Sequence, residues 1–189
     1  MNSVNVANGL TVARILLVPV VVVALLSRQH GAWAVAAIAF FLAASTDGLD
    51  GYLARARGSV TNFGKVMDPV ADKLLIAAAL VSLVSLGRLA AWVAVVIVAR
   101  EFAVSGLRIA AGQQGTIISA SSLGKAKTMS QVLIVLALIL APDPEAMWVL
   151  VLVYACVGIT VISGLDYFLS YRRRVEAGRR PEGGGAPVS

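Results

Sequence analysis

The fold class the sequence predicts is an all-α integral membrane protein, with six transmembrane helices around a cytoplasm-facing polar cavity. Composition is the first reason: 59% of the 189 residues are hydrophobic, 14% are charged, and the mean hydropathy is +0.86. Soluble domains run about 45–50% apolar and about 25% charged. Second, the apolar residues fall in continuous runs and do not alternate, which excludes the strands of a membrane barrel. Third, the basic residues gather on alternate connections between those runs.

A bilayer core of about 30 Å needs about 20 apolar residues in a helix. The first run is Leu10–Leu26, and Met1–Asn8 ahead of it hold no Lys or Arg. A secretory signal needs a basic start and a small-residue cleavage site, so this run is expected to be retained. Arg28-Gln29-His30-Gly31 separates it from the second, Trp33–Arg55, and the turn Ala56–Asn62 leads into the third, Thr61–Leu86. Leu86-Gly87-Arg88 precedes the fourth, Ala90–Gly112, and the fifth is Gly124–Leu140. Ala141-Pro142-Asp143-Pro144 follows, where two prolines forbid continued helix, and the sixth run is Ala146–Tyr171. Each run must be helical, because backbone groups in lipid have to be satisfied internally. Residues 1–175 are expected to form one domain, and residues 176–189, ending in the Gly/Pro-rich Pro181–Ser189, a disordered cytoplasmic tail. The single cysteine, Cys156, sits inside the last run and reads as a small packed side chain.

The formal charge of +6 and pI near 10 raise the question of nucleic acid. Placement answers it. The first, third and fifth connections hold only Arg28 and Arg88, and the other fourteen of the sixteen basic residues lie at Arg14, around the even connections, or in the tail beginning Arg172-Arg173-Arg174. The positive-inside rule then puts both termini and the even connections in the cytoplasm of a multi-pass protein of the cell (inner or plasma) membrane. The tail is an orientation signal and anionic-lipid contact, with no base-reading module beside it.

Four acids fall where lipid should exclude them: Asp47 and Asp50, three apart in the second run, and Asp68 and Asp72, four apart in the third. An Asp at a helix centre is unfavourable by about 2.5–3.5 kcal/mol. Both spacings put the pair on one helix face, and the short turn makes the two helices antiparallel neighbours. The carboxylates then converge and repel unless a cation lies between them. All-oxygen ligation suits Mg²⁺, Mn²⁺ or Ca²⁺. Pairing with Arg55, Lys65 and Lys73 is the purely structural alternative. Gly48, Gly51, Ala54 and Gly64 remove bulk near the acids, for a ligand or for helix packing.

Asp47-x-x-Asp50-Gly51-x-x-Ala54-Arg55, eight residues, Gly64, three residues, Asp68, three residues, Asp72 resembles the signature of the CDP-alcohol phosphotransferase family. All eight fixed positions are filled, and the six runs match the family's architecture. The resemblance implies a CDP-linked lipid, CDP-diacylglycerol, whose diphosphate lies against two Mg²⁺ or Mn²⁺ ions held by Asp47, Asp50, Asp68 and Asp72. It places Gly51, Ala54, Arg55 and Gly64 along the cytidine and diphosphate, and makes Asp72 the acceptor of the attacking hydroxyl's proton. It also implies a homodimer. Positioning and charge dominate such phosphoryl transfers.

A second set of intramembrane charges bears on the acceptor. Arg100 and Arg108, eight apart, share a face of the fourth helix. Together with Lys125, they are expected to hold an acceptor phosphate. Salt bridging to Glu101 is the alternative for the arginines, and Lys127 reads as an orientation charge. Asn8-Gly9-Leu10-Thr11 with Arg14, Ala99-Arg100-Glu101, Ser105-Gly106-Leu107-Arg108, Gly124-Lys125-x-Lys127-Thr128 with Gln131, and Ser163-Gly164 with Asp166-Tyr167 resemble the family branch whose acceptor is sn-glycerol 3-phosphate. Branches accepting inositol phosphate or phosphatidylglycerol also need a phosphate pocket. An ion-coupled transporter would show inverted repeats and broken helices, and the aspartate pattern does not recur in the second half. Asn8, Thr11 and Arg14 either line the acceptor pocket or simply start the first span.

Overall fold

A computed structural model describes residues 6–27, 29–57, 62–113 and 122–178. Six helices run in order: α1 Val6–Leu26, α2 Ala32–Arg57, α3 Asn62–Ser85, α4 Ala91–Gln113, α5 Ser122–Leu140 and α6 Met147–Gly178. No strand occurs among the described residues. Each helix coincides with one predicted apolar run to within a few residues, except that α6 continues to Gly178, beyond Tyr171 and past the expected domain boundary. The rest of the tail, 179–189, lies outside the described residues, as does Arg28.

The helix ends follow from local chemistry. Gly87 takes a φ of 70°, and its N–H bonds to the Val84 carbonyl at 3.0 Å while that of Arg88 reaches back to Leu83 at 2.9 Å. That pair of bonds is the glycine-dependent closure of a helix C-terminus, and it stops α3. Gly31, with φ 81°, turns the chain between α1 and α2. Arg88 then fastens this end of the bundle. Its Nε donates to the Leu138 carbonyl at 2.7 Å, Nη2 donates to Ala141, and the guanidinium lies 4.6 Å from the centre of the Trp33 ring. Carbonyls at the end of α5, which have no helical donor, are thereby satisfied by a residue from the α3–α4 turn.

Helix α1 packs against both α2 and α3, α5 against α6, α2 and α3, and α4 against α6 and α3. Among the described residues α2 and α3 also touch directly, less extensively than either touches α1. The core is one cluster, with Val21 and Leu25 of α1, Ala36, Phe40 and Ala43 of α2, and Leu75, Ala79 and Leu83 of α3. Ile97, Val135, Leu138 and Val149 continue it through α4, α5 and α6. Positions 36, 40 and 43 share one face of α2 by the helical repeat, and the alanines there let α1 approach closely. Large apolar side chains also face outward on every helix, among them Leu16, Ile38, Val81, Val95, Leu133 and Val151.

Among the described residues α6 meets the length and apolarity of a membrane-crossing helix, over Met147–Arg174, and Thr11–Leu26 and Ala32–Thr46 are shorter apolar stretches. The other helices carry charges inside their length: Asp47 and Asp50 on α2, Asp68 and Asp72 on α3, Arg100, Glu101 and Arg108 on α4, Lys125 and Lys127 on α5.

Candidate functional site

Buried polarity is segregated. Among the described residues, apart from Ser82, the buried polar side chains are Thr11 and Arg14 of α1, Lys127 and Gln131 of α5, and Thr160 and Ser163 of α6. They lie at the end of the bundle opposite the Arg88–Trp33 staple. Buried polar groups are unfavourable without partners, so their partners define what this end is built around.

The first constellation joins α1, α2 and α3. The Arg14 side chain is 0% exposed. Its Nε donates to the Ala43 carbonyl of α2 at 3.1 Å and its Nη1 to Asp72 Oδ1 of α3 at 2.6 Å. The Asp72 side chain is 39% exposed, so its carboxylate stands at the mouth of the cluster. One turn earlier, Lys73 Nζ donates to the Pro69 carbonyl at 2.9 Å. Pro69 itself has no N–H to continue the α3 ladder, so the bond to the carbonyl four residues earlier, in the turn that leads into Asp68, is missing.

Asp47 and Asp50 lie on α2 and Asp68 on α3, where the spacing expects them. Their side chains lie outside the described residues, as do those of Asn8, Ala54, Arg55 and the positions of Gly51 and Gly64 beyond their helical backbone. Asp72 is the acid of the four whose surroundings are described, and no group of three potential metal ligands occurs among the described residues. Ala43 precedes Asp47 by one turn, so Arg14 reaches both the start of the Asp47 turn and the Asp72 carboxylate. Carboxylate donors suit a hard divalent ion. Among the described residues Asp72 supplies one such donor, and Arg14 is paired with it.

The second constellation joins α4, α5 and α6 around Glu101. Its Oε1 accepts from Lys127 Nζ, from Arg100 Nη1 at 3.3 Å and from Gln131 Nε2 at 3.3 Å. Arg100 Nη2 also donates to Ser163 Oγ at 3.0 Å. Gly164 makes room for this arrangement, since a Cβ there would lie 3.2 Å from Arg100 Cγ. Lys127, expected as an orientation charge, is buried, its side chain 8% exposed, because the Glu101 carboxylate draws it inward. Lys125 is exposed beside it.

Arg108 is exposed, with its guanidinium 5.8 Å from the centre of the Tyr167 ring. Arg100 and Arg108 therefore both face α6, as their spacing expects. Arg100 Nε and the Tyr167 hydroxyl are buried without a hydrogen-bond partner among the described residues. Among the described residues the cluster holds two buried cations against one carboxylate, and a surplus positive charge with idle donors is suited to an anion.

Salt bridging to Glu101, the alternative the sequence offered for the arginines, holds for Arg100, whereas Lys127 as a further partner of Glu101 went unread. The one available signal was an acid inside an otherwise apolar helix, which calls for a partner in lipid. Spacing cannot name that partner when it lies 26 residues away on another helix.

Comparison with known proteins gives a family-level match, CDP-alcohol phosphatidyltransferase, over residues 4–162. A protein from Bacillus subtilis named CDP-diacylglycerol–glycerol-3-phosphate 3-phosphatidyltransferase is 40% identical over 186 residues, covering 87% of this chain and 93% of that protein. A protein from Mycobacterium tuberculosis named probable phosphatidylglycerophosphate synthase is 44% identical over 168 residues, 86% of this chain and 79% of its own length. One from Rickettsia felis, named like the first, is 35% identical over 174 residues, covering 89% of this chain and 96% of that protein.

Proposed function

The chain belongs to the CDP-alcohol phosphatidyltransferase family, and from that premise we propose that it transfers a phosphatidyl group from CDP-diacylglycerol to sn-glycerol 3-phosphate. The reading is carried by 40% identity across 87% of the chain to a protein named for that reaction. The acceptor hydroxyl oxygen attacks the phosphatidyl phosphorus, the bond from that phosphorus to the CMP oxygen breaks, and CMP departs. The product is phosphatidylglycerophosphate, so the enzyme serves phospholipid biosynthesis.

Asp47, Asp50, Asp68 and Asp72 would hold two Mg²⁺ or Mn²⁺ ions, which supply positive charge to the phosphoryl oxygens and the leaving group. Asp72 receives the hydroxyl proton, and its exposed position at the mouth of the first constellation supports that role. Gly51, Ala54, Arg55 and Gly64 line the cytidine and diphosphate. Arg100, Arg108 and Lys125 take the acceptor phosphate, with Glu101 and Lys127 setting the position of Arg100. The idle donors on Arg100 and Tyr167 support an anion there.

The six helices are read as six membrane spans around a polar cavity open to the cytoplasm, in the cell membrane. Outward-facing apolar side chains on every helix support this, since large exposed apolar surfaces are rare on soluble monomers. Exposed Arg172, Arg173 and Arg174 at the end of α6 support a cytoplasmic C-terminus. The active unit is a homodimer, which cross-linking in native membranes tests.

The functional test is CMP release from CDP-diacylglycerol in detergent, with glycerol 3-phosphate, inositol phosphate or phosphatidylglycerol supplied separately. Release with glycerol 3-phosphate alone supports the reading. Release only with another acceptor refutes the assignment of the second constellation.

A further inference from the structure

We propose that Arg14 is a positioning residue for Asp72: its buried guanidinium fixes the carboxylate that both metal binding and proton acceptance use. The inference rests on the reading of Asp72 given above.

The two ends of this ion pair are unlike. The Arg14 side chain is 0% exposed and the Asp72 side chain 39%. A guanidinium is planar and always charged, and its donors leave in fixed directions. Here Nε is spent on the Ala43 carbonyl and Nη1 on Asp72 Oδ1. With two contacts on two different helices, the group cannot swing without breaking one of them. The Asp72 carboxylate, on the open side, is thus held by a partner that does not move.

The backbone contact matters as much as the ion pair. In an α-helix the Ala43 carbonyl is the one that faces the N–H four residues on, which belongs to Asp47. Arg14 therefore bears on the turn that carries Asp47 and on the side chain of Asp72 together. Thr46 Oγ1 also lies 3.2 Å from the same carbonyl and 2.6 Å from that of Leu42, so this turn is well tied. Among the described residues α1 packs on both α2 and α3 more extensively than they pack on each other. Helix α1 therefore bridges the two acid-bearing helices, and Arg14 makes a polar contact with each. Thr11, three residues earlier and fully buried, lies on the same α1 face.

Partners that orient a ligating carboxylate alter metal affinity or activity by about 10–100-fold when removed. A mere strut between helices would alter stability alone. The test compares wild type, Arg14→Met, Arg14→Lys and Arg88→Ala, all purified in detergent. Arg88 fastens the opposite end of the bundle, so its variant reports destabilisation without change at the site.

Mn²⁺ is titrated into metal-free protein without substrate, following thermal unfolding and the free-Mn²⁺ electron paramagnetic resonance signal. Arg14→Met is expected to raise the Mn²⁺ midpoint about 10-fold or more and to lower kcat by about 10–100-fold, with KM for glycerol 3-phosphate unchanged. Arg14→Lys keeps the charge but not the fork and is expected to fall between Met and wild type. Arg88→Ala is expected to lower the melting temperature and leave the Mn²⁺ midpoint in place.

A wild-type midpoint and kcat in folded Arg14→Met overturn the proposal, and so does an equal midpoint shift in Arg88→Ala. If Arg14→Met does not fold, Arg14→Lys decides on the same two readouts, and an unchanged midpoint overturns the proposal. Wild-type protein that shows neither a Mn²⁺-dependent shift nor metal-dependent CMP release refutes the functional reading itself, a result separable from failure of the variants alone.

Discussion

Replacing Glu101 with Gln removes the one carboxylate of the second constellation and keeps its shape. Glu101 Oε1 is the shared acceptor of Lys127, Arg100 and Gln131. The side chains are 15%, 8% and 14% exposed for Glu101, Lys127 and Arg100, so solvent screens them little. At an effective dielectric of about 20, the 3.3 Å Arg100–Glu101 contact alone is a gross attraction of about 5 kcal/mol. Breaking a buried pair by removing one partner is unfavourable by about 3–5 kcal/mol, because a charge is left uncompensated. In Glu101→Gln, Arg100 and Lys127 are also left to repel each other.

For a chain of this length such a loss lowers the melting temperature by roughly 6–20 °C. The assay is thermal unfolding in detergent across a double-mutant cycle of Glu101→Gln, Lys127→Gln and the pair. The double variant is expected to be more stable than the sum of the single losses, by at least about 1 kcal/mol. A loss under about 1 kcal/mol in Glu101→Gln, or simple additivity, would refute the idea that this carboxylate organises the cluster.

Asp72→Asn is expected to reduce CMP release by about 10²–10⁴-fold while the protein stays folded, checked by single-turnover kinetics. Arg100→Ala is expected to raise KM for glycerol 3-phosphate by roughly 10–100-fold, the loss of one or two charged hydrogen bonds, with KM for CDP-diacylglycerol unchanged. Steady-state kinetics in both substrates measures it. Arg88→Ala removes two bonds to carbonyls at the end of α5 and a ring contact, and is expected to lose about 2–3 kcal/mol of stability with little change in KM.

The helices were legible because lipid imposes one rule on the backbone. An apolar run bounded by Gly31, Gly87 or the Pro142 and Pro144 pair has little alternative to a helix. Even so, α6 continues to Gly178, since Arg172, Arg173 and Arg174 interrupt the apolar pattern without opposing helix. The aspartates were legible as a motif, and helical periodicity alone put each pair on a face. How their helices are held apart was not. A short turn suggests that α2 and α3 lie directly side by side; they do touch, and α1 packs against both as well.

Long-range partners were hidden for the same reason. Arg14 meets Asp72 across 58 positions and Lys127 meets Glu101 across 26. Such pairings are fixed by which helices become neighbours, and periodicity within one helix carries no record of that. Arg100 and Arg108 were easier, because a spacing of eight keeps two residues on one face whatever that face meets. That the face meets Ser163 and Tyr167 of α6 emerges only in the folded bundle.

The central claim is the transfer itself, and the lipid product tests it most directly. Purified protein would be given CDP-diacylglycerol and isotopically labelled glycerol 3-phosphate, with Mg²⁺ or with chelator, and the lipid fraction examined by mass spectrometry. Labelled phosphatidylglycerophosphate with an equal amount of CMP is expected in the presence of metal, none with chelator, and about 10²–10⁴-fold less from Asp72→Asn. Folded, metal-supplied wild-type protein that forms no labelled lipid would contradict it.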